Sequence, residues 1–294
     1  MCGIVGLFLK DRALEPELGG LLAGMLGTLC DRGPDSAGFA VYGEAKPEHS
    51  KLTLRAPDGF DFARMLHAME SMVSAYQIHD THAVIAVPSD RESDVVAEVA
   101  EVPEVSIVST GRRMAIFKEV GRPDKVAARF GLNSMSGTHA IGHTRMATES
   151  AVTTKGAHPF TTGPDQCLVH NGSLSNYNAV RRELIHRGLP FATDNDTEVA
   201  AGFLSWKMRE GASLEQAMDA SLGTLDGFYT FVIGTESGFG VLRDPIACKP
   251  AVMAETDRWV AFGTEYRALV DLPGIDAARV WEPEPARSYL WERH

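Results

Sequence analysis

The chain opens Met1-Cys2-Gly3-Ile4-Val5-Gly6-Leu7-Phe8, a run that from residue 2 onward is short, apolar and punctuated by glycine, as a buried strand is. Removal of Met1 would make Cys2 the terminal residue, carrying both a thiol and a free α-amine. An α-amine has a pKa of roughly 7.7–8.0, far below that of lysine. It can therefore take the proton from its own thiol, which gives a nucleophile and its base in one residue without a histidine. Taken alone, Cys2 reads equally as a small buried residue at the start of a strand, since free Cys is among the most buried types. What lies downstream decides between the two.

Composition narrows the field first. With 294 residues, 44% of them hydrophobic, the chain has enough apolar material for one large core or two modest ones. Its formal net charge is −11 and no basic run interleaves with aromatics, which argues against a nucleic-acid partner. No apolar stretch approaches the length of about 18 residues that a membrane helix needs, and no signal-peptide pattern opens the chain. A cytoplasmic protein is expected. Four cysteines (Cys2, Cys30, Cys167, Cys248) lie far apart without a CxxC, and ten histidines form no ligand-spaced cluster. Neither a disulfide framework nor a metal site is expected.

The periodicity then lays out elements. Residues 2–8 and 38–42 read as strands flanking a helical stretch at 16–30, and Arg32-Gly33-Pro34-Asp35-Ser36 is a turn. A middle block follows, with a strand at His82–Val87 and a helix at Asp90–Val102. Val105–Ser109 and Arg113–Val120 read as a hairpin over Thr110-Gly111, and Pro123–Phe130 as a short helix. This block, 81–130, reads as a βαββα insertion within a domain covering 2–294. Ala140–Thr144 is a strand ending at Arg145, and Gln166–His170 a strand ending at Asn171-Gly172. A helix from about Asn176 to Arg187 stops at Gly188, and another runs from about Thr197 with Asp196 as its N-cap. Ser213-x-x-Gln216 is a capping box, and the remainder is strand-rich. Strands, then helices, then strands predict an α+β fold of packed antiparallel sheets with helices outside. No GxGxxG or P-loop marks a nucleotide site.

Five motifs fall in order: Met1-Cys2-Gly3-Ile4-Val5-Gly6, Arg32-Gly33-Pro34-Asp35-Ser36-Ala37-Gly38, Gly142-His143-Thr144-Arg145-Met146-Ala147-Thr148, Val169-His170-Asn171-Gly172 and Asp194-Asn195-Asp196-Thr197-Glu198. Each is weak alone. Together they resemble the class II glutamine amidotransferases over residues 2–43 and about 137–270. That resemblance implies an N-terminal nucleophile hydrolase fold: two stacked antiparallel sheets sandwiched between helical layers, here with an α/β insertion. It also implies that Cys2 attacks the glutamine side-chain amide to form a γ-glutamyl thioester, with Asn171 and Gly172 as the oxyanion hole. Arg145 would hold the substrate α-carboxylate in a bidentate pair, Asp196 would meet the α-ammonium, and Thr148 would line the same pocket. His143, His158 and His170 read as scaffold, and Arg32 and Asp35 as braces for the nucleophile. Two departures stand out, Met146 where the family often has Trp and Glu149 after Thr148.

By the same resemblance, the chain looks most like the separate amidotransferase polypeptides of glutamate synthase-like systems. Within them it is most similar to the GlxB-type amidotransferases and the first subunit of N-methylglutamate synthase. The implied partners are an FMN-containing synthase subunit, together with a glycine-rich repeat subunit. FMN would sit in the partner, with no cofactor in this chain. Since the chain ends about where a glutaminase fold does, an ammonia acceptor is expected on another polypeptide. The middle block would then be a docking surface or channel lid. Two other readings stay open: a stand-alone γ-glutamyl amide hydrolase, and a non-catalytic assembly subunit that binds glutamate in place of glutamine.

Overall fold

The computed structural model describes residues 2–147 and 151–293. Its main sheet has seven strands in the order β15 (Arg279–Trp281), β13 (Val252–Glu255), β14 (Trp259–Gly263), β1 (Gly3–Leu9), β8 (His139–Arg145), β2 (Ser36–Tyr42) and β7 (Met114–Val120). A second sheet has five, in the order β16 (Arg287–Glu292), β12 (Gly238–Arg243), β11 (Gly227–Gly234), β10 (Gln166–Leu174) and β9 (Phe160–Gly163). Every strand pairing within these sheets is antiparallel.

Strand alternation explains the layering. Along β1, Val5, Leu7 and Leu9 point to one core, while Ile4 and Phe8 point to another. The first core lies against α1 (Leu18–Gly27) and α4 (Pro123–Arg129), which cover the outer face of the main sheet. The second lies between the sheets, where Ile4, Ile141 and Phe262 meet Val169, Val232 and Phe239. Gly6 is small for this reason: a Cβ there would run into the Phe239 ring. A third core packs the far face of the five-stranded sheet against α5 (Tyr177–His186), α6 (Asp196–Arg209) and α7 (Leu214–Thr224). Two antiparallel sheets thus lie between two helical layers, as the motif resemblance implied. The capping box of α7 forms with both of its halves, and Gly188 takes a φ of +84° just past α5.

The middle of the chain departs from the sequence reading. A four-stranded antiparallel sheet in the order β4 (Ala75–His79), β5 (His82–Pro88), β3 (His49–Arg55) and β6 (Ser106–Gly111) packs on α2 (Phe62–Ala68) and α3 (Glu92–Ala100). This unit runs from residue 49 to 111, so the bounds 81–130 are displaced at both ends. β6 and β7 are no hairpin: β6 pairs with β3 in the small sheet, and β7 pairs with β2 in the main one. The physical reason is that β2 and β7 are themselves the two arms of a hairpin. Tyr42 is paired with Met114, and Gly43 N donates to Arg113 O at 3.1 Å. The unit is carried at the tip of that hairpin. Residues 114–129 belong to the main core through Phe117 and Val126.

A buried carboxylate fastens this junction to the second sheet. Asp165, in the β9–β10 turn, accepts the backbone N–H groups of Arg112, Arg113 and Met114 at 2.6, 2.9 and 2.8 Å.

Candidate active site

β1 and β2 begin, and β8 finishes, at one end of the main sheet. Gly3 pairs with Thr144, and Ser36 with Arg145, so the register brings Cys2, Arg145 and the Arg32–Ser36 turn to the same end. Cys2 is half-buried there. Its carbonyl oxygen accepts from Arg32 Nε at 3.0 Å and from Asn171 Nδ2 at 3.3 Å. Arg32 is anchored in turn by an ion pair to Glu265, whose other oxygen meets Arg267 Nε at 2.5 Å. Burial pushes the Glu265 carboxyl up, but Arg32 and Arg267 outweigh it and hold the group below its usual range. One residue earlier, Thr264 Oγ1 accepts Ile4 N at 2.8 Å. The first strand is therefore pinned from both sides just beyond the thiol.

Arg32 and Asp35 brace the strand ends around Cys2 and Arg145. Asp35 N donates to Arg145 O at 3.1 Å, and Asp35 Oδ2 accepts Ala147 N at 2.8 Å. Arg145 closes β8 and is buried, with Nη1 3.4 Å from Ala151 O. Gly156 leaves room for this guanidinium, since a Cβ there would lie 3.2 Å from Nη1. Thr148 and Glu149 lie outside the described residues.

Asn171 and Gly172 sit on β10, paired with Thr230 and Tyr229 of β11. Gly172 takes a φ of +151°, and any side chain would collide with the Phe228 carbonyl, so only glycine fits. The sequence reading of Asp196 as an N-cap is corrected. Asn195 caps α6, its Oδ1 accepting Thr197 N at 2.9 Å, because Asn195 has the extended backbone that a cap requires. Asp196 is the first helical residue and turns its carboxylate towards β10, where Oδ2 accepts Leu174 N at 3.0 Å and Oδ1 lies 3.7 Å from His170 Nδ1. Burial raises its pKa, yet His170 and the N–H groups of Leu174 and Thr197 prevail and hold it below the ordinary carboxylate range. It is an ionised carboxylate at neutral pH.

Behind these groups lies a buried histidine cluster. His143 and His158 stack with ring centroids 3.9 Å apart. His143 Nε2 donates to His170 O at 3.0 Å, tying β8 to β10. Thr197 Oγ1 is the hub, 2.8 Å from His158 Nε2 and 3.0 Å from His170 Nδ1. A single hydroxyl donates once, so at least one of these rings must donate to it. Burial lowers His143 to about 3 and holds His158 well below the usual imidazole range, so both are neutral at pH 7. Sequence reasoning does not single out Thr197, Thr264 or Glu265 for the site. A threonine after a helix cap and a Thr-Glu after a strand carry no local signal of what they touch.

The residue that carries the half-buried thiol is thus held through its carbonyl by Arg32 and Asn171, at the strand end where β8 closes on the buried Arg145. The set suits attack on a carbonyl carbon of a zwitterionic substrate. Among the described residues no three His, Cys, Asp or Glu side chains group to hold a metal.

Comparison with known proteins agrees with this arrangement. Residues 143–271 match the family described as "Glutamine amidotransferase domain". The chain is 60% identical over 296 residues to the "Glutamine amidotransferase-like protein GlxB" of Rhizobium meliloti, covering 99% of this chain and 98% of that one. It is 32% identical to a "Putative glutamine amidotransferase" of Methanothermobacter thermautotrophicus, covering 99% of this chain and 100% of the relative. Among solved structures, the glutamine phosphoribosylpyrophosphate amidotransferase of B. subtilis superposes with a TM-score of 0.63 at 20% identity. It covers 99% of this chain, which in turn spans 47% of that one, so this likeness is one of fold. The chain belongs to the class II glutamine amidotransferases, the glutaminase-type enzymes of the N-terminal nucleophile hydrolase fold.

Proposed function

We propose that this chain is the glutaminase subunit of a glutamate synthase-like complex, in particular N-methylglutamate synthase, and that it passes ammonia to an FMN-containing partner. The observation that carries the reading is the convergence of Arg32 Nε and Asn171 Nδ2 on the Cys2 carbonyl. It holds the thiol at the strand end that also bears Arg145. The similarity to the glutamine amidotransferase-like protein GlxB supports the amidotransferase part of this reading.

With Met1 removed, the Cys2 amine takes the thiol proton, and the thiolate adds to the side-chain amide carbon of glutamine. The developing oxyanion accepts from the Asn171 amide and the Gly172 N–H; such a donor is typically worth about 10²–10³ in rate. Collapse breaks the C–N bond, the amine's proton goes to the leaving nitrogen, and ammonia departs from a γ-glutamyl thioester. Water then hydrolyses the thioester with the same amine as base. Arg145 holds the α-carboxylate, Asp196 the α-ammonium, and Thr148 lines the pocket. A glycine-rich repeat subunit completes the assembly.

The test is ammonia release from glutamine by protein of verified N-terminus, alone and with the FMN subunit. Turnover that rises with that subunit and vanishes in Cys2→Ala is expected. Full turnover on γ-glutamyl amides without any partner would make the chain a stand-alone hydrolase. Glutamate binding without turnover, unchanged by Cys2→Ala, would make it an assembly subunit.

A further inference from the structure

A cavity opens away from Cys2, where the four-stranded sheet leans over the main sheet. Its volume is about 740 Å³, and neither Cys2, Arg145, Asn171 nor Asp196 lines it. Clefts of roughly 300–1,000 Å³ with apolar walls and a few polar groups are where small molecules bind.

The walls have two characters. Phe117 and Ala115 of β7 face Val84 and Ala86 of β5 across an apolar floor. The rim carries Lys46, Lys51 and Arg112 against one carboxylate, Glu44. That excess of positive charge sits on a chain whose formal net charge is −11. Among the described residues neither Lys46 nor Lys51 forms an ion pair. Lys51 is half-buried and gives Nζ only to the carbonyls of Arg113 at 2.9 Å and Glu44 at 3.4 Å. An ammonium has three donors, so one is left over. Arg112 lies 3.9 Å from Glu236, with both side chains about half exposed, a geometry that contributes little. Burial of the Lys51 charge lowers its pKa, and the nearby Asp165 and Glu44 carboxylates offset this only in part. An anion in the cleft would supply what the protein does not.

We propose that this cleft binds a small amphipathic organic anion, its apolar body against Phe117, Val84 and Ala86 and its anionic head on Lys51, Lys46 and Arg112. Apolar surface supplies the affinity and the cations fix the orientation. The inference does not rest on the reading of the Cys2 site, and its failure would leave that reading untouched.

The probe is 8-anilinonaphthalene-1-sulfonate, titrated by fluorescence into the full-length protein, with octanoate as competitor. Saturable binding of one probe per chain, displaced by octanoate, is expected. The double variant K46M/K51M should bind at least about tenfold more weakly, the weight of one charge-assisted hydrogen bond. Arg112→Gln, at an exposed position, gives a second reading if the double variant misfolds, and should weaken binding in the same direction. Ala86→Phe fills the floor and should remove binding while near-ultraviolet dichroism stays native. A titration that never saturates, an octanoate that does not compete, or equal affinity in every folded variant would overturn the proposal.

Discussion

Acid should begin to destabilise this protein above the pH at which its carboxylates titrate, because four histidines are buried in the neutral state. Burial lowers His82, His139 and His143 to about 3 and holds His158 well below the usual imidazole range. As the pH falls through 6.5, the unfolded chain takes up a proton on each ring, while the native state refuses it down to about 3. The stabilisation is therefore complete above 6.5 and lost progressively below it. Each ring contributes a slope of about 1.4 kcal/mol per pH unit, so four together remove about 11 kcal/mol between neutrality and pH 4.5. Domain stabilities are about 5–15 kcal/mol, which places the acid midpoint near pH 4.7 for a protein in the middle of that range. The assay is far-ultraviolet dichroism and tryptophan fluorescence against pH, with urea unfolding at pH 7.5 as reference. His82→Leu is the control, since that ring packs between Phe117 and Phe130 and its Nε2 has no partner. Removing one of the four groups at equal starting stability moves the midpoint down by about half a unit. Native dichroism at pH 3.5 in the parent, or an unmoved midpoint in a variant of equal neutral stability, would refute the reasoning.

Three further outcomes follow from the site and the insertion. Thr197→Val removes the hydroxyl shared by His158 and His170, leaving buried ring nitrogens unpaired at about 1–3 kcal/mol each; urea midpoints should fall and KM for glutamine should rise. Arg145→Lys keeps the charge but not the planar fork, and should raise KM about 10- to 100-fold with a smaller change in kcat, so a KM equal to the parent's would remove Arg145 from carboxylate binding. Replacing residues 45–111 by a short turn should leave a folded, Cys2-dependent glutaminase, because Gly43 and Arg113 are already hydrogen-bonded across the gap. If the unit is the docking surface, pull-down of the FMN subunit should be lost in the same variant, and intact assembly would show that docking lies elsewhere.

Much of the sandwich is legible in the sequence because its strands and helices advertise themselves locally. The apolar, glycine-punctuated run of β1, the glycine after α5 and the Ser213–Gln216 box each rest on neighbours in sequence, and each forms as its local pattern predicts. The middle of the chain is not legible in this way. β3, α2 and β4 give weak signals because they are short: within His49–Arg55 polar residues alternate with leucine only from Lys51 to Arg55, and Phe62–Ala68 is a single short amphipathic stretch. Arg113–Val120 has the pattern of a return arm in a local hairpin, yet its true partner, β2, lies more than seventy residues earlier.

Sequence by itself determined the chemistry on offer: a cysteine directly behind Met1, an Asn-Gly at a strand end, an arginine closing a strand and an acid opening a helix. Motif order carried these, since each is a short-range pattern. Only the tertiary structure decided what holds them together. Arg32 reaches the Cys2 carbonyl and takes its own support from Glu265, 233 positions away in the chain. Thr197 joins two histidines from separate segments, and Asp196 is released from capping because Asn195 does that work. Such contacts depend on sheet register and layer packing, which are set by the whole core and leave no mark on the residues next door.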